Sequence, residues 1–402
     1  LSPNEMAMLM DHLWELSKVH FDYYYLTENC SYHLLGLLEA VNPHWQLKKH
    51  LPFYVLPIDT VRALFQEEGL VKNINYRPSS QTRFEAAYNA LDEVEKKAVI
   101  DYLNDKDLKE VIKDSDDISK VQILDTLVDY FNFYHGKDVI LGKGEASKKR
   151  NQILASRSLL SAKSDTPQIE KKIAPHKAHP TRRMGTKVFK REGIEGLALD
   201  YRFAFHDLLD IRDGMSPYGQ IEFGHIFMEV EPENKRLIFD GFHLVQAKAL
   251  EPISSLHATT SIEAKVSFER TPAILRKEYD CRQCYAPIIS FGSGPSFEQE
   301  VFSGRFIMAG FLSGEIRVNE NFHRTWTQLG VGPKLSLFWL SDEFSAEVDF
   351  YAYQYPTLKN EVFWWNQIEL RKNIGKQFQA TAGFLQNNEQ EKTYSLGLNT
   401  YF

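Results

Sequence analysis

The sequence predicts an α+β chain: a helical first part of about 160 residues, then an antiparallel β-barrel of about twelve strands. Three observations predict it. Apolar residues recur at helical spacing up to about residue 160, strict alternation takes over from about Thr186 to the end, and a polar stretch broken by prolines separates the two regimes. A length of 402 residues suits two or three domains.

The helical part opens on Ser2-Pro3-Asn4-Glu5, a capping box with proline at the first helical position, followed by Met6, Leu9, Leu13 and Leu16 on one face. A second helix is expected from Cys30 through Leu34, Leu35, Leu37, Leu38 and Val41, ending before Pro43. Further helices are expected over 59–68, 81–103 and 121–135. The basic stretch 142–157 reads as a solvated helical face, with a phosphate or lipid-headgroup site as the sharper alternative. These signals divide the chain into 1–60, a helical segment 61–163, a linker 164–185 holding Pro167, Pro175 and Pro180, and a β-region 186–402. His176 and His179 in the linker lack a third metal ligand and read as loop histidines.

In the β-region the apolar rows are 197/199/201/203/205, 262/264/266/268, 329/331/335/337/339, 344/346/348/350, 378/380/382/384 and 394/396/398/402, each alternating with polar or small residues. Such strands suit a bilayer-spanning barrel, with Trp326, Trp339, Trp364, Trp365, Tyr401 and Phe402 as interfacial aromatics. A soluble β-sandwich or lipocalin-like barrel shows the same alternation and buries its apolar face inside. Two features favour the membrane: the opposite face is charged and Gln-rich, fitting a watered lumen, and the chain ends on Phe402 within its last strand, which resembles the C-terminal signature of bacterial outer-membrane barrels.

Composition narrows the rest. The net charge of −7 leaves no surplus of Lys and Arg for phosphates, so no nucleic-acid partner is expected. A mean hydropathy of −0.37 and the lack of an apolar run near 18 residues exclude a membrane-spanning helix and leave a membrane barrel open. No P-loop, Rossmann or zinc pattern is present, so neither cofactor nor metal is expected.

Of three cysteines, Cys281 and Cys284 form a lone C-x-x-C, read as a local disulfide or two inert thiols. Cys30 follows Asn29, a good N-cap, which places it in the first turn of its helix. There the helix dipole favours a thiolate and free N–H groups can meet an oxyanion, as in papain-like nucleophiles; a buried structural thiol is the competing reading. His20 and His33 are the candidate bases, with His44 and His50 behind them. Asn29, Ser31 and Tyr25 are the oxyanion and positioning candidates, with a packed aromatic role favoured for Tyr25. His206-Asp207 reads as a turn-stabilising pair, since adjacent strand residues point to opposite faces.

The stretch Tyr23 to Leu38, YYYLTENCSYHLLGLL, resembles the cysteine motif of a bacterial periplasmic domain family that includes Lnb-type lipoprotein N-acyltransferases. Its Asn-Cys before a helix is also similar to that of lecithin:retinol acyltransferase-like enzymes, circularly permuted relatives of NlpC/P60 peptidases. Segments 175–179, 182–185 and 206–210 resemble the β-rich region that follows this domain in many members. The resemblance implies that residues 1–60 are the C-terminal part of a papain-like, permuted NlpC/P60 cysteine domain with Cys30 as nucleophile. It also implies a base histidine on a strand before the cysteine. The chain opens on Leu1 rather than Met, too late for that strand, and is expected to be the middle of a longer protein whose targeting information is missing.

The activity expected is acyl transfer through a thioester. Cys30 would take an acyl chain from a membrane phospholipid and pass it to the N-terminal diacylglyceryl-cysteine of a lipoprotein, at an outer membrane with the cysteine domain facing the periplasm. The alternatives are an NlpC/P60-type cell-wall peptidase or amidase, and a non-catalytic outer-membrane barrel protein.

Overall fold

The computed structural model describes every residue except 166, 170, 257, 272–284, 320–325, 357–361 and 389–390. Cys281 and Cys284 therefore lie outside the described residues. The chain forms two units, Leu1–Val71 with Ile173–Phe402, and Lys72–Lys172.

The second unit is all helix: α4 (Ser80–Ala90), α5 (Glu93–Leu103), α6 (Leu108–Val111), α7 (Asp117–Tyr134), α8 (Gly136–Leu141) and α9 (Gly144–Ser158). Its core is α7, whose Val121, Ile123, Leu124, Leu127 and Phe131 are buried together with Phe84, Val99 and Ile153. The single helix expected over 81–103 is two. Asp92 caps the second, accepting from the Glu95 N–H at 2.8 Å while Glu95 accepts from the Asp92 N–H at 3.0 Å. A capping box inside a periodic run starts a new helix.

In the first unit, α1 (Pro3–Leu16), α2 (Cys30–Val41), a 3₁₀ turn (Leu47–His50) and α3 (Pro57–Gln66) precede the sheet. The capping box at Ser2 and Glu5 forms as the sequence predicts. Leu35, Leu47 and Ala63 close a small core between α2, the 3₁₀ turn and α3.

The sheet comprises β1 (Arg183–Arg191), β2 (Ile194–His206), β3 (Gly219–Glu231), β4 (Arg236–Ala249), β5 (Ser261–Arg270), β6 (Tyr285–Gly294), β7 (Ser296–Val301), β8 (Gly304–Val318), β9 (Thr327–Leu340), β10 (Phe344–Gln354), β11 (Val362–Asn373), β12 (Phe378–Asn387) and β13 (Lys392–Tyr401). Sequence neighbours pair antiparallel, and β1 pairs β13 from Arg183↔Tyr401 to Arg191↔Thr393. β6 and β7 are one stave interrupted at Pro295: Ser293↔Leu312 and Ser296↔Ala309 keep a single register on β8. Pairing of β6 with β8 closes the ring, giving the twelve-stranded barrel the alternation predicts. The barrel begins at Arg183, inside the stretch read as linker.

The outward row is apolar, and the inward row carries the buried charges beside apolar clusters. On β8, Met308, Leu312, Ile316 and Val318 are exposed while Ser313, Glu315 and Arg317 are buried. On β13, Tyr394, Leu396 and Leu398 are exposed and Asn399 is buried. A soluble barrel has the opposite arrangement. A closed ring with an apolar belt satisfies every strand edge internally, as a bilayer demands, and is the outer-membrane type of barrel. The interior is packed with opposite charges: Lys248 meets Glu347 at 3.1 Å, Lys334 meets Glu263 at 2.8 Å and Arg317 meets Glu315 at 2.6 Å. The charged inner face expected to line a watered lumen is thus largely paired with itself. Two residues expected in the aromatic girdles also face inward. Tyr401 is buried, and Trp365 stacks on Tyr351 beside a buried cluster of Tyr353, Tyr355 and Phe363.

Candidate functional site

Asn29 organises the start of α2. Its Oδ1 accepts the Tyr32 N–H at 3.2 Å and the Ser31 hydroxyl at 2.7 Å, the side-chain cap that begins the helix at Cys30. Its Nδ2 donates to the Val55 carbonyl at 2.7 Å and the Tyr25 carbonyl at 3.3 Å. One buried amide therefore joins the helix start to the loops before and after it. Ser31 spends its hydroxyl on that cap. Cys30, the first residue of α2, is an exposed free thiol.

The histidines are placed differently. His33 lies one turn on; its backbone N–H bonds the Asn29 carbonyl at 3.3 Å, its ring lies 4.6 Å from that of Phe21, and its Nε2 is buried without a hydrogen-bond partner. His20 is exposed in the stretch between α1 and α2. Among the described residues no hydrogen bond or ion pair joins either histidine to Cys30, so no cysteine–histidine pair is assembled.

The loops that Asn29 ties together touch the outside of the barrel. The Tyr25 ring lies 6.3 Å from Phe223 of β3. The Tyr54 hydroxyl donates to the Phe203 carbonyl of β2, and burial pushes that hydroxyl's pKa up. Local backbone geometry makes the acceptor available: the Phe203–Gly224 pair drops out of the ladder where Gly224 takes φ +63°. A Cβ at Gly224 would come within 2.9 Å of the Phe203 ring. Arg62 of α3 reaches the linker, donating to the carbonyls of His179 at 2.9 Å, Ala178 at 3.1 Å and His176 at 3.4 Å, while Phe65 stacks on His176 at 3.9 Å.

The second feature is a plug at the barrel mouth, the end where β1 begins and β13 finishes. The β2–β3 connection folds into the mouth, and Leu208 and Leu209 pack with Leu250, Ile307, Phe311, Phe338 and Leu340. Beside them Arg371 bonds Asp207 and Asp210 at 2.9 Å, Arg183 and Arg202 bond the same two carboxylates, and Tyr401 donates to Asp210 at 2.6 Å. Arg202 is 0% exposed. Burial alone would raise Asp207; Arg371, Arg183 and Arg202 overcome it and hold the carboxyl well below the usual carboxylate range. Asp210 is lowered in the same way, against burial and chiefly by Arg202. His179, its Nε2 3.9 Å from Asp210 and its ring 4.5 Å from Tyr401, is pushed down by burial despite that carboxylate. His206 bonds the Gly219 carbonyl at 2.9 Å, bridging the base of the connection as the turn reading has it. The arginine network itself was not foreseen. Its sequence signal is the charge at 183, 202 and 371 on the lumen-facing parity of three strands.

Comparison with known proteins follows these divisions. Residues 172–401 match the domain of unknown function DUF7840, residues 1–67 the Lnb N-terminal periplasmic domain, and residues 74–169 the domain of unknown function DUF7842. No curated protein matches. Similar solved structures include the KdgM porin (8% identity, 55% of this chain and 99% of that one, TM-score 0.31). The NanC porin (7%, 55% and 99%, TM-score 0.33) and the Acinetobacter baumannii outer membrane protein Omp33 (9%, 56% and 99%, TM-score 0.28) are others. By its own closed ring and apolar outward row the chain forms an outer-membrane-type barrel, and its N-terminal end matches a periplasmic domain.

Proposed function

We propose, for a chain that belongs to the DUF7840 family, that the barrel anchors a cysteine acyltransferase at the periplasmic face of an outer membrane. In this reading Cys30 attacks an ester carbonyl of a phospholipid. The oxyanion collapses to a Cys30 thioester, and the lysophospholipid leaves with a proton. The α-amine of a diacylglyceryl-cysteine at a lipoprotein N-terminus then attacks the thioester, forming an amide and returning the thiol. The observation that carries it is an exposed thiol at the first residue of a helix whose start is fixed by a buried asparagine. A helix N-terminus supports the negative charge that develops on the carbonyl oxygen. Anchoring matters because both substrates stay in the bilayer, so encounter is two-dimensional and effective concentration is high.

A second reading, a non-catalytic barrel protein, is favoured by the histidines: His33 turns its ring to Phe21, and among the described residues neither it nor His20 bonds Cys30. Intact-mass measurement of the protein in phospholipid micelles separates the two. A fatty-acyl increment on the wild type that is absent from Cys30→Ala, and that moves to an added diacylated lipopeptide, supports the acyltransferase. If a thiol probe modifies Cys30 but no acyl increment appears, the non-catalytic barrel stands. Cleavage of a cell-wall peptide by the wild type alone would favour the peptidase instead.

A further inference from the structure

The aromatic residues around the Cys30 loops are more exposed than a folded domain in water needs. Phe53, next to Tyr54, is 95% exposed, and Tyr25 and Tyr24 are 57% and 55% exposed. Single exposed apolar residues are common on soluble surfaces. These are not scattered. Tyr25 and Tyr54 rest against Phe223 and Phe203, which stand on the outward, lipid-facing rows of β3 and β2. Phe203 is three residues from the end of β2, roughly 10 Å along the strand from the mouth.

The aromatic cluster continues along the outer surface, where the Tyr201 ring packs 4.7 Å from that of Phe203. The rings of Tyr201 and Phe402 lie 6.1 Å apart on the outer surface, and the Arg182 guanidinium sits over Phe402 at 5.3 Å. An aromatic band with a basic residue at its edge is how membrane proteins meet the interface.

We propose that Phe53 and the tyrosines at 24 and 25 are seated in the interfacial layer of the bilayer beside the barrel. The lipid contact of the protein thus continues from the strands onto the loops that hold Cys30. The occupant of this surface is the lipid leaflet, because the strand rows it abuts face lipid already. Asn29 bonds the carbonyls of Tyr25 and Val55, so the helix start is carried at the depth those loops adopt. The proposal rests on the barrel being in a membrane and does not depend on catalysis.

The test uses the full chain in phosphatidylcholine nanodiscs and two tryptophan variants, Phe53→Trp and Leu398→Trp, the latter on the outward row of β13. Lipids brominated near the headgroup are compared with lipids brominated near the chain end. The expected result is a blue-shifted added emission for Phe53→Trp, quenched about two-fold more by the headgroup-proximal bromines, as an interfacial ring requires. Added emission that no brominated lipid quenches, while Leu398→Trp is quenched, overturns the proposal. An unquenched blue shift that grows with protein-to-disc ratio also overturns it and assigns the surface to a second copy. If Leu398→Trp escapes quenching as well, the membrane barrel itself fails, a separate outcome.

Discussion

Asp207 and Arg371, 164 residues apart in the chain, meet in a two-point salt bridge with both N···O distances at 2.9 Å inside the barrel mouth. The bridge lies between a connection and a strand, so it holds the plug against the wall. Paired buried charges resist separation because removing one partner strands the other without water.

The first prediction follows. Arg371→Ala leaves Asp207 and Asp210 short of a cation and is expected to cost about 3–5 kcal/mol. Heat-dependent gel mobility of the folded barrel should fall to lower temperature. In planar bilayers the wild type is expected to hold current at baseline, and a variant with 207–211 replaced by a Gly/Ser linker to conduct. Steady open-channel current from the wild type would remove the plug from the account.

Acid should not release the carboxylates early. Asp207 has a folded pKa below its unfolded value near 3.9, so its contribution is complete above that value and is lost only as pH falls through the lowered folded pKa. The plug is therefore expected to stay shut at pH 5, a result readable in the same bilayer recordings.

His179 behaves in the opposite pH range. Its folded pKa is depressed by burial, so the unfolded linker binds the proton more readily. Stability of the linker on the mouth is present above the unfolded value near 6.5 and declines as pH drops below it. The groups facing it are Asp210, Arg202, His206 and Tyr401. Hydrogen exchange of 175–181 should accelerate between pH 7.5 and 5.5, after correction for intrinsic rates, and His179→Asn should flatten that dependence.

Arg62 is the bolt between α3 and the linker. Three backbone carbonyls accept from its guanidinium, and charge-assisted bonds of this kind contribute about 2 kcal/mol when partly buried. Arg62→Ala should speed exchange in 175–181 by about 30-fold while leaving the strands protected. Unchanged exchange in that segment would show that the Phe65–His176 stack suffices.

Asn29→Ala tests the cap. It removes the bond to the Tyr32 N–H and leaves the Val55 carbonyl without its donor, a loss of about 1–2 kcal/mol at the helix start. Thiol-probe kinetics at Cys30 should change in the variant while the barrel melts unaltered. Identical kinetics would make Asn29 a bystander.

Much of this architecture was written locally. Asn29 before Cys30 fixes the start of α2, and the alternations at 329–339 and 394–398 put their apolar members outside, because cap and pleat are short-range properties. The inward position of Tyr401 was also available, since it has the opposite parity to Leu398; neighbouring Trp364 and Trp365 must likewise face opposite ways. The break at Asp92 carried its own capping box. What could not be read was which charges would meet. Asp207 finds Arg371 only because the mouth end of β11 lies across the closed ring from the β2–β3 connection, and strand order around the ring sets that meeting. The relation of His20 and His33 to Cys30 is equally a matter of three-dimensional loop paths, for which residue spacing gives no rule.

The plug also makes the mouth and the ring depend on each other. Its two carboxylates sit in the connection directly after β2, whereas Arg371 and Tyr401 stand on β11 and β13. Arg371 supplies counter-charge from β11, and Tyr401 supplies a hydrogen bond from β13, the strand paired with β1. The contacts that seal the mouth are therefore drawn from strands on both sides of the β1–β13 seam, so an open ring and a sealed mouth are mutually exclusive states.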